Sequence, residues 1–383
     1  MRLRVFIPPL LVLLLLPAYA SAGPSWTWSY TDQCIVFDMA LNEDGHIGLA
    51  FGYYAELLSP NGHLVFKKPT RGIAYTVALS RSDDLVIGTE GDWIQYFNAS
   101  GSLLWEYKAR GAVTKVDVSK DGKTVVAGDS SGYVYLFRDG KLAWRRKVGN
   151  YTWSVDLYGN RIAVGVDDSV KALDLSGKVL SSDSFAGYVR QAIGSGGGIF
   201  LRIVPKDGSW SDVGMVSWTG KKLWMKHFNG LVRYIDSDGE NVAVGGDIGS
   251  LILFSSNGSV VYRVPFLVST LEVSTARGYL LAGGAKQAIF IAPNGSVLWD
   301  TRFNWSVKNV RIARDASFLA VGYGYHSLEN CQETIDVLRL SGTVEPTETS
   351  EAPSYRLPGL PLVTAIGAGL VVVGYLLWRE FRE

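Results

Sequence analysis

The chain has 383 residues, 47% hydrophobic and 19% charged, enough to bury one large core or two ordinary ones. Its 37 basic and 36 acidic residues leave a formal charge of +1, which argues against a general nucleic-acid binder, since such proteins carry a basic excess. With 4 His and 2 Cys, and no CxxC, HExxH or Cys/His cluster, the chain offers no dedicated zinc or iron site.

Residues 1–22 read as a signal peptide. Arg2 and Arg4 form the positive start, Val5 to Leu16 the apolar run, and Pro17 ends it. Ala18-Tyr19-Ala20 and Ala20-Ser21-Ala22 both place small residues at cleavage spacing. The competing reading, an uncleaved anchor, asks a short run to span a bilayer.

Residues 23–341 are rich in glycine and aromatics, which suits many short strands joined by tight turns. One unit, Gly101 to Phe137, parses as four strands, LLWEYK, TKVDVS, KTVVAG and YVYLF. Turns such as Asp121-Gly122 separate them, and no helical period intervenes. The opening glycine recurs at Gly62, Gly101, Gly140, Gly177, Gly220, Gly258, Gly295 and Gly342, at spacings of 37 to 47 residues. Four residues on stand Phe66, Trp105, Trp144, Ser181, Trp224, Tyr262, Trp299 and Pro346, six of eight aromatic. A second column of strands ending in small residues (GLAFG, LVIGT, VVAGD, IAVGV, IFLRI, VAVGG, LLAGG and LAVGY) also counts eight. The sequence thus predicts an all-β, eight-bladed β-propeller. The eighth unit runs into a Pro/Thr/Glu/Ser-rich segment and lacks its last strand, while Trp26 to Tyr30 has no blade of its own. Pairing the two ends would close the ring and remove an open sheet edge.

Residues Trp26 to about Gly342 resemble the WD40-like and PQQ-like eight-bladed propellers of prokaryotic secreted proteins, on the units NASGSLLW, RDGKLAW, WTGKKLW, PNGSVLW and VDVSKDG. The Gly-x-x-x-Trp element is similar to the tryptophan-docking motif of quinoprotein propellers, in which the ring of one blade stacks on a peptide of the next. The resemblance implies that Trp105, Trp144, Trp224 and Trp299 clasp neighbouring blades. It also invites a quinoprotein-type dehydrogenase reading. That class uses a quinone, Ca²⁺, a catalytic Asp and usually a vicinal disulfide, and no two Cys are adjacent here. No catalytic, cofactor-binding or metal-ligating residue is assigned.

Aligned on the turn that follows it, the inner strand gives the column Asp38, Ala78, Asp117, Asp156, Ala192, Tyr234, Glu272 and Arg311. Its acids offer a weak case for Ca²⁺ in the central channel, against the plainer reading that each caps a turn or faces channel water. Loops from the outer strand of one blade to the inner strand of the next share one face. There Lys68, Arg71, Arg110 and Tyr151 join Phe228, Phe266 and Trp305 as a candidate ligand face, because Arg and aromatics in loops suit protein or glycan recognition. Asn98, Asn150, Asn257, Asn294 and Asn304 head possible glycosylation sequons, although Asn-Gly-Ser is also good turn chemistry. Cys34 and Cys331 are expected to form a disulfide, in a closed ring that makes the two chain ends neighbours.

Residues 342–356 read as an extended stalk, 357–378 as a transmembrane helix without a charge, and 379–383 as a tail whose Arg379 and Arg382 stay inside. The expected address is therefore the cell membrane, single-pass, with the propeller on the extracytoplasmic side. The expected function is a membrane-anchored binding or scaffolding module for a surface protein or glycan, with no nucleic acid and no catalysis. The alternatives are a quinoprotein-like enzyme and an assembly scaffold for exported proteins.

Overall fold

A computed structural model describes residues 26–33, 35–266, 270–326 and 331–340. The chain divides into residues 1–346 and 347–383, and every described residue belongs to the first unit. The signal segment 1–22, Cys34, the stalk 342–356, the apolar stretch 357–378 and the tail lie outside the described residues. Among the described residues no helix is long and apolar enough to cross a membrane.

The strands form eight four-stranded antiparallel sheets. Blades 1 to 7 span residues 36–69, 74–108, 113–147, 152–184, 188–228, 232–265 and 270–302. Local chemistry sets each hairpin. Asp139 and Gly140, both with positive φ, make the two-residue turn that pairs Arg138 with Lys141. The second strand of a blade is buried along its length, as in Leu85–Thr89, because sheets cover both of its faces. The outer strand is mostly exposed, as in Lys141–Lys147. Cores therefore lie between blades: Tyr96 and Ala78 of blade 2 pack with Tyr135 and Val116 of blade 3.

Blade 8 combines residues 306–339 with the first strand of the chain, Trp28–Asp32, in the outermost place. The ladder runs from Trp28↔Val337 to Asp32↔Glu333. Side chains of blade 8 also grip the start of blade 1. The Val36 N–H donates to Glu333 Oε2 (3.1 Å), and Asn309 Nδ2 donates to the Val36 carbonyl (3.1 Å). Pairing between the last two strands of blade 8 continues to His326↔Cys331.

In every blade the pairing of inner and second strands shifts register near the start, between Val36 and Asp38 in blade 1 and between Val189 and Gln191 in blade 5. Counting from that bulge splits the expected inner column into two tiers. Asp38, Lys115, Gln191, Tyr234 and Glu272 share the upper tier, each opposite the small-residue column of the second strand or its blade 5 counterpart Arg202. Asp117, Asp156, Asp236 and Arg311 share the tier two residues lower. Ala192 belongs to neither, because it falls between Gln191 and Ile193.

Candidate functional site

The inner strands begin on the face that carries the outer-to-inner loops and the hairpins between second and third strands. This is the mouth face; the remaining hairpins form the turn face. Polar side chains of the inner strands staple each blade to the next. Asp38 accepts the Val77 N–H (3.2 Å), Ser154 that of Ala192 (2.9 Å), and Glu272 that of Val310 (2.8 Å). One tier lower, Asp117 accepts from Leu157 (2.7 Å), Asp156 from Gly194 (2.8 Å) and Asp236 from Thr275 (2.8 Å). The channel acids thus satisfy backbone donors of the neighbouring blade rather than capping turns.

An ion network links the two tiers, with Arg311 of the lower tier reaching two upper-tier acids. Lys115 Nζ lies 2.8 Å from Asp38 Oδ2, Arg311 NH2 lies 2.9 Å from Asp38 Oδ1, and Arg311 NH1 reaches Glu272 Oε1 at 2.5 Å. Burial works against the Asp38 carboxylate, but Lys115 and Arg311 outweigh it and hold it below the usual carboxylate range. Burial pushes Glu272 up, and Arg311 offsets only part of that. In the lower tier burial raises Asp117 and Asp236. Burial, reinforced by the Asp117 charge, pushes Asp156 up to about 7.

Asp38 and Glu272 are already held by cations, and among the described residues no group of three acidic, His or Cys side chains could hold a metal.

The mouth face receives the expected ligand residues unevenly. Arg71 is exposed, lies 4.6 Å over the Trp93 ring and pairs with Glu106 at 2.7 Å. Arg110 is exposed, while its backbone N–H donates to Tyr135 Oη (2.8 Å). Tyr151 is half-buried, 4.1 Å from Trp153. Trp305 is 43% exposed, 4.7 Å from Tyr325. The other three sit elsewhere. Phe266, at 4% exposure, is core between blades 6 and 7, so a loop position gave it no access to a ligand. Phe228 packs edge-on against Phe254, and Lys68 lies in the outer strand opposite Ala55.

Four exposed aromatics of the mouth face were missed by looking only at outer-to-inner loops. Tyr53 and Tyr54 lie at the second-to-third hairpin of blade 1, and Phe37 and Tyr75 fill the bulge positions of blades 1 and 2, 6.1 Å apart. Among the described residues six aromatic side chains are exposed, and only Tyr158 of these is off the mouth face.

The docking tryptophans act between blades. A β-carbon on Gly140 would come within 2.9 Å of Trp105, one on Gly177 within 3.0 Å of Trp144, and one on Gly258 within 2.7 Å of Trp224. The indole N–H groups of Trp144 and Trp224 donate to Leu175 O (3.0 Å) and Ser256 O (2.8 Å) of the next blade. Trp299 differs. It is buried against the edge of Trp26, and its N–H has no partner among the described residues. The place that Pro346 leaves empty in the aromatic column is taken by Trp28. Its N–H donates to Pro60 O (2.7 Å), and a β-carbon on Gly62 would lie 2.7 Å from its ring.

Asn98, Asn257 and Asn294 accept backbone N–H groups in third-to-fourth-strand turns. Asp174 does the same in blade 4, so these Asn residues have a turn role of their own. Asn150 and Asn304 are exposed on the mouth face.

A closed ring of eight four-stranded blades with docking aromatics is a β-propeller of the PQQ-like repeat type. Residues 58–196 match the family model described as outer membrane protein assembly factor BamB. No curated protein matches the chain significantly. Among solved structures it is similar to Sqt1 from Saccharomyces cerevisiae, at TM-score 0.66 and 11% identity over 82% of this chain and 98% of that one. It is also similar to the computationally designed Ika8 protein, at TM-score 0.68 and 14% identity over 81% and 97%. BamB from Moraxella catarrhalis matches at TM-score 0.58 and 12% identity over 80% and 98%. At these identities the structures share the fold alone.

Proposed function

We propose that the propeller is a protein-binding scaffold that meets its partner on the mouth face of blades 8, 1 and 2. The observation that carries this is the gathering there of Phe37, Tyr53, Tyr54, Tyr75 and Trp305, five of the six exposed aromatics among the described residues. Arg71, stacked on Trp93, adds a cation at the edge of the same sector. Exposed aromatics with Arg are the usual anchors of protein interfaces. A match to a BamB family model over residues 58–196 supports a scaffold reading. The Lys115–Asp38–Arg311–Glu272 network commits these channel groups to one another, which favours the scaffold reading over the quinoprotein one. The address rests on sequence: a signal peptide over 1–22 and a span over 357–378 would hold the ring outside the membrane. The test is co-purification from native membranes with a full-length Tyr53→Ser, Tyr75→Ser, Trp305→Ser variant. Loss of the wild-type partner at an unchanged melting temperature supports the reading, and undiminished recovery defeats it.

A further inference from the structure

The seam between blades 5 and 6 is built unlike the others. In every other blade the second strand carries a small residue opposite the upper tier of the inner strand: Ala50, Gly88, Gly128, Gly165, Gly245, Gly283 and Gly322. Space there is short. A β-carbon on Gly88 would fall 2.5 Å from Val113 Cγ1, and one on Gly128 2.5 Å from Thr152 Cγ2. Blade 5 places Arg202 at this position, opposite Gln191. A side chain of that size requires the inner strand of blade 6 to stand off. Polar groups fill the space: Arg202 Nε donates to Gln191 Oε1 (2.7 Å) and its NH1 to the Val232 carbonyl (3.1 Å). Gln191 in turn accepts the Ile235 N–H (3.0 Å) and donates to the Ile235 carbonyl (3.0 Å).

Two further guanidinium groups stand at the bulges of the flanking inner strands. Arg190, at the bulge of blade 5, lies 3.6 Å over the Trp153 ring and 5.1 Å over that of Tyr188. Arg233, at the bulge of blade 6, makes a bidentate pair with Asp247, Nε to Oδ1 at 3.1 Å and NH2 to Oδ2 at 2.7 Å. Arg202 has no carboxylate partner among the described residues. Burial, followed by repulsion from Arg190 and Arg233, pushes it down to about 9, with Tyr234 acting in the opposite sense. A cationic seam of this kind gains from an incoming anion. The flat faces of Trp153 and Tyr188 beside it suit a carboxylate carried on a peptide rather than a bare ion.

We propose that the Arg190–Arg202–Arg233 seam at the channel mouth is a recognition site for carboxylate side chains of an acidic peptide segment. The proposal rests on the mouth face being protein-binding, yet it concerns the sector opposite the exposed aromatics. The probe is a fluorescein-labelled hexaglutamate peptide, titrated into the full-length chain and read by anisotropy, with citrate as a competing free carboxylate. Arg202→Gly installs the residue that six other blades carry at this position. It is expected to weaken peptide binding about tenfold, and wild-type binding should fall as salt rises. Arg190→Ala, at the half-buried rim of the seam, is expected to do the same without disturbing the core, which keeps the test valid if the Arg202 variant folds poorly. Equal affinity in wild type and both variants overturns the proposal, as does a wild-type chain that binds citrate but not the peptide. The Tyr53, Tyr75 and Trp305 variant should bind hexaglutamate normally, which separates failure of this site from failure of the aromatic sector.

Discussion

Replacing Arg311 by Met removes the cation that joins Asp38 to Glu272 across the upper tier of the channel. The two carboxylates are left in different positions. Asp38 keeps Lys115 at 2.8 Å, the Thr76 hydroxyl at 3.1 Å and the Val77 N–H. Among these contacts Glu272 keeps only the Val310 N–H, and its side chain is 5% exposed. Breaking a buried pair in this way costs about 3–5 kcal/mol when the stranded group stays charged. Burial already raises Glu272, and loss of Arg311 raises it further. A carboxyl raised in the folded state binds its proton more tightly there than in the unfolded chain. Its contribution is therefore most favourable below the unfolded value, about 4.3, and is lost as pH rises toward the folded value. Guanidinium titrations followed by tryptophan fluorescence should show the full loss at pH 8 and a clearly smaller one at pH 5. Adding Glu272→Gln should recover most of it at pH 8, since the amide still accepts the Val310 N–H. A loss below about 1 kcal/mol, or an equal loss at both pH values, would refute this account of the network.

In the lower tier, Asp156→Asn keeps an acceptor for the Gly194 N–H and removes a charge that burial and Asp117 disfavour, so it should stabilise the protein at pH 8 by about 1–2 kcal/mol and leave pH 4 unchanged. Thermal melts at the two values decide it, and destabilisation at pH 8 would contradict the assignment. Trp28→Ala should cost about 2–4 kcal/mol, since it empties the docking place on Gly62 and leaves the Pro60 carbonyl without its donor; deleting residues 26–30 should leave an open, aggregating ring, visible by light scattering. Cys34, which lies outside the described residues, and Cys331 are the only two cysteines of the sequence. We therefore expect Cys34 and Cys331 to be bridged, stabilising the ring by about 2–4 kcal/mol; alkylation of both thiols without reductant after unfolding would show there is no bridge.

The architecture was legible because most blades repeat one packing contact. A glycine that must hold a positive φ under an aromatic ring leaves a column of Gly and Trp that no other structure requires so regularly. The same logic showed that the last blade lacked a strand and that Trp26 to Tyr30 had none to join. Trp28 itself was not recognised as a docking residue, because no glycine stands four residues before it in the sequence, where the chain has Pro24. The channel was read less well. Aligning inner strands on the turn that follows them ignores the bulge at their start, so Asp38 and Asp117 fell in one column although they belong to different tiers, and Asp236 was passed over. Lys115 was invisible as a partner of Asp38 for a related reason, since the contact reaches between non-adjacent blades. On the mouth face, loop position alone could not distinguish Trp305, which projects, from Phe266, which turns inward to the core. Arg202 was written in the sequence as the one charged member of the small-residue column, in IFLRI, and its meaning appears only when the seam it fills is seen.

The central claim is that the mouth face of blades 8, 1 and 2 binds protein. It is tested most directly by placing a photo-crosslinking amino acid at Tyr53 or Trp305, and separately at Ser100 or Asn257 on the turn face, in the full-length protein in intact cells. The account predicts one discrete protein adduct from Tyr53 and Trp305 and none from Ser100 or Asn257. An adduct formed from the turn face alone, or none from the mouth face while the protein is correctly folded, would contradict it.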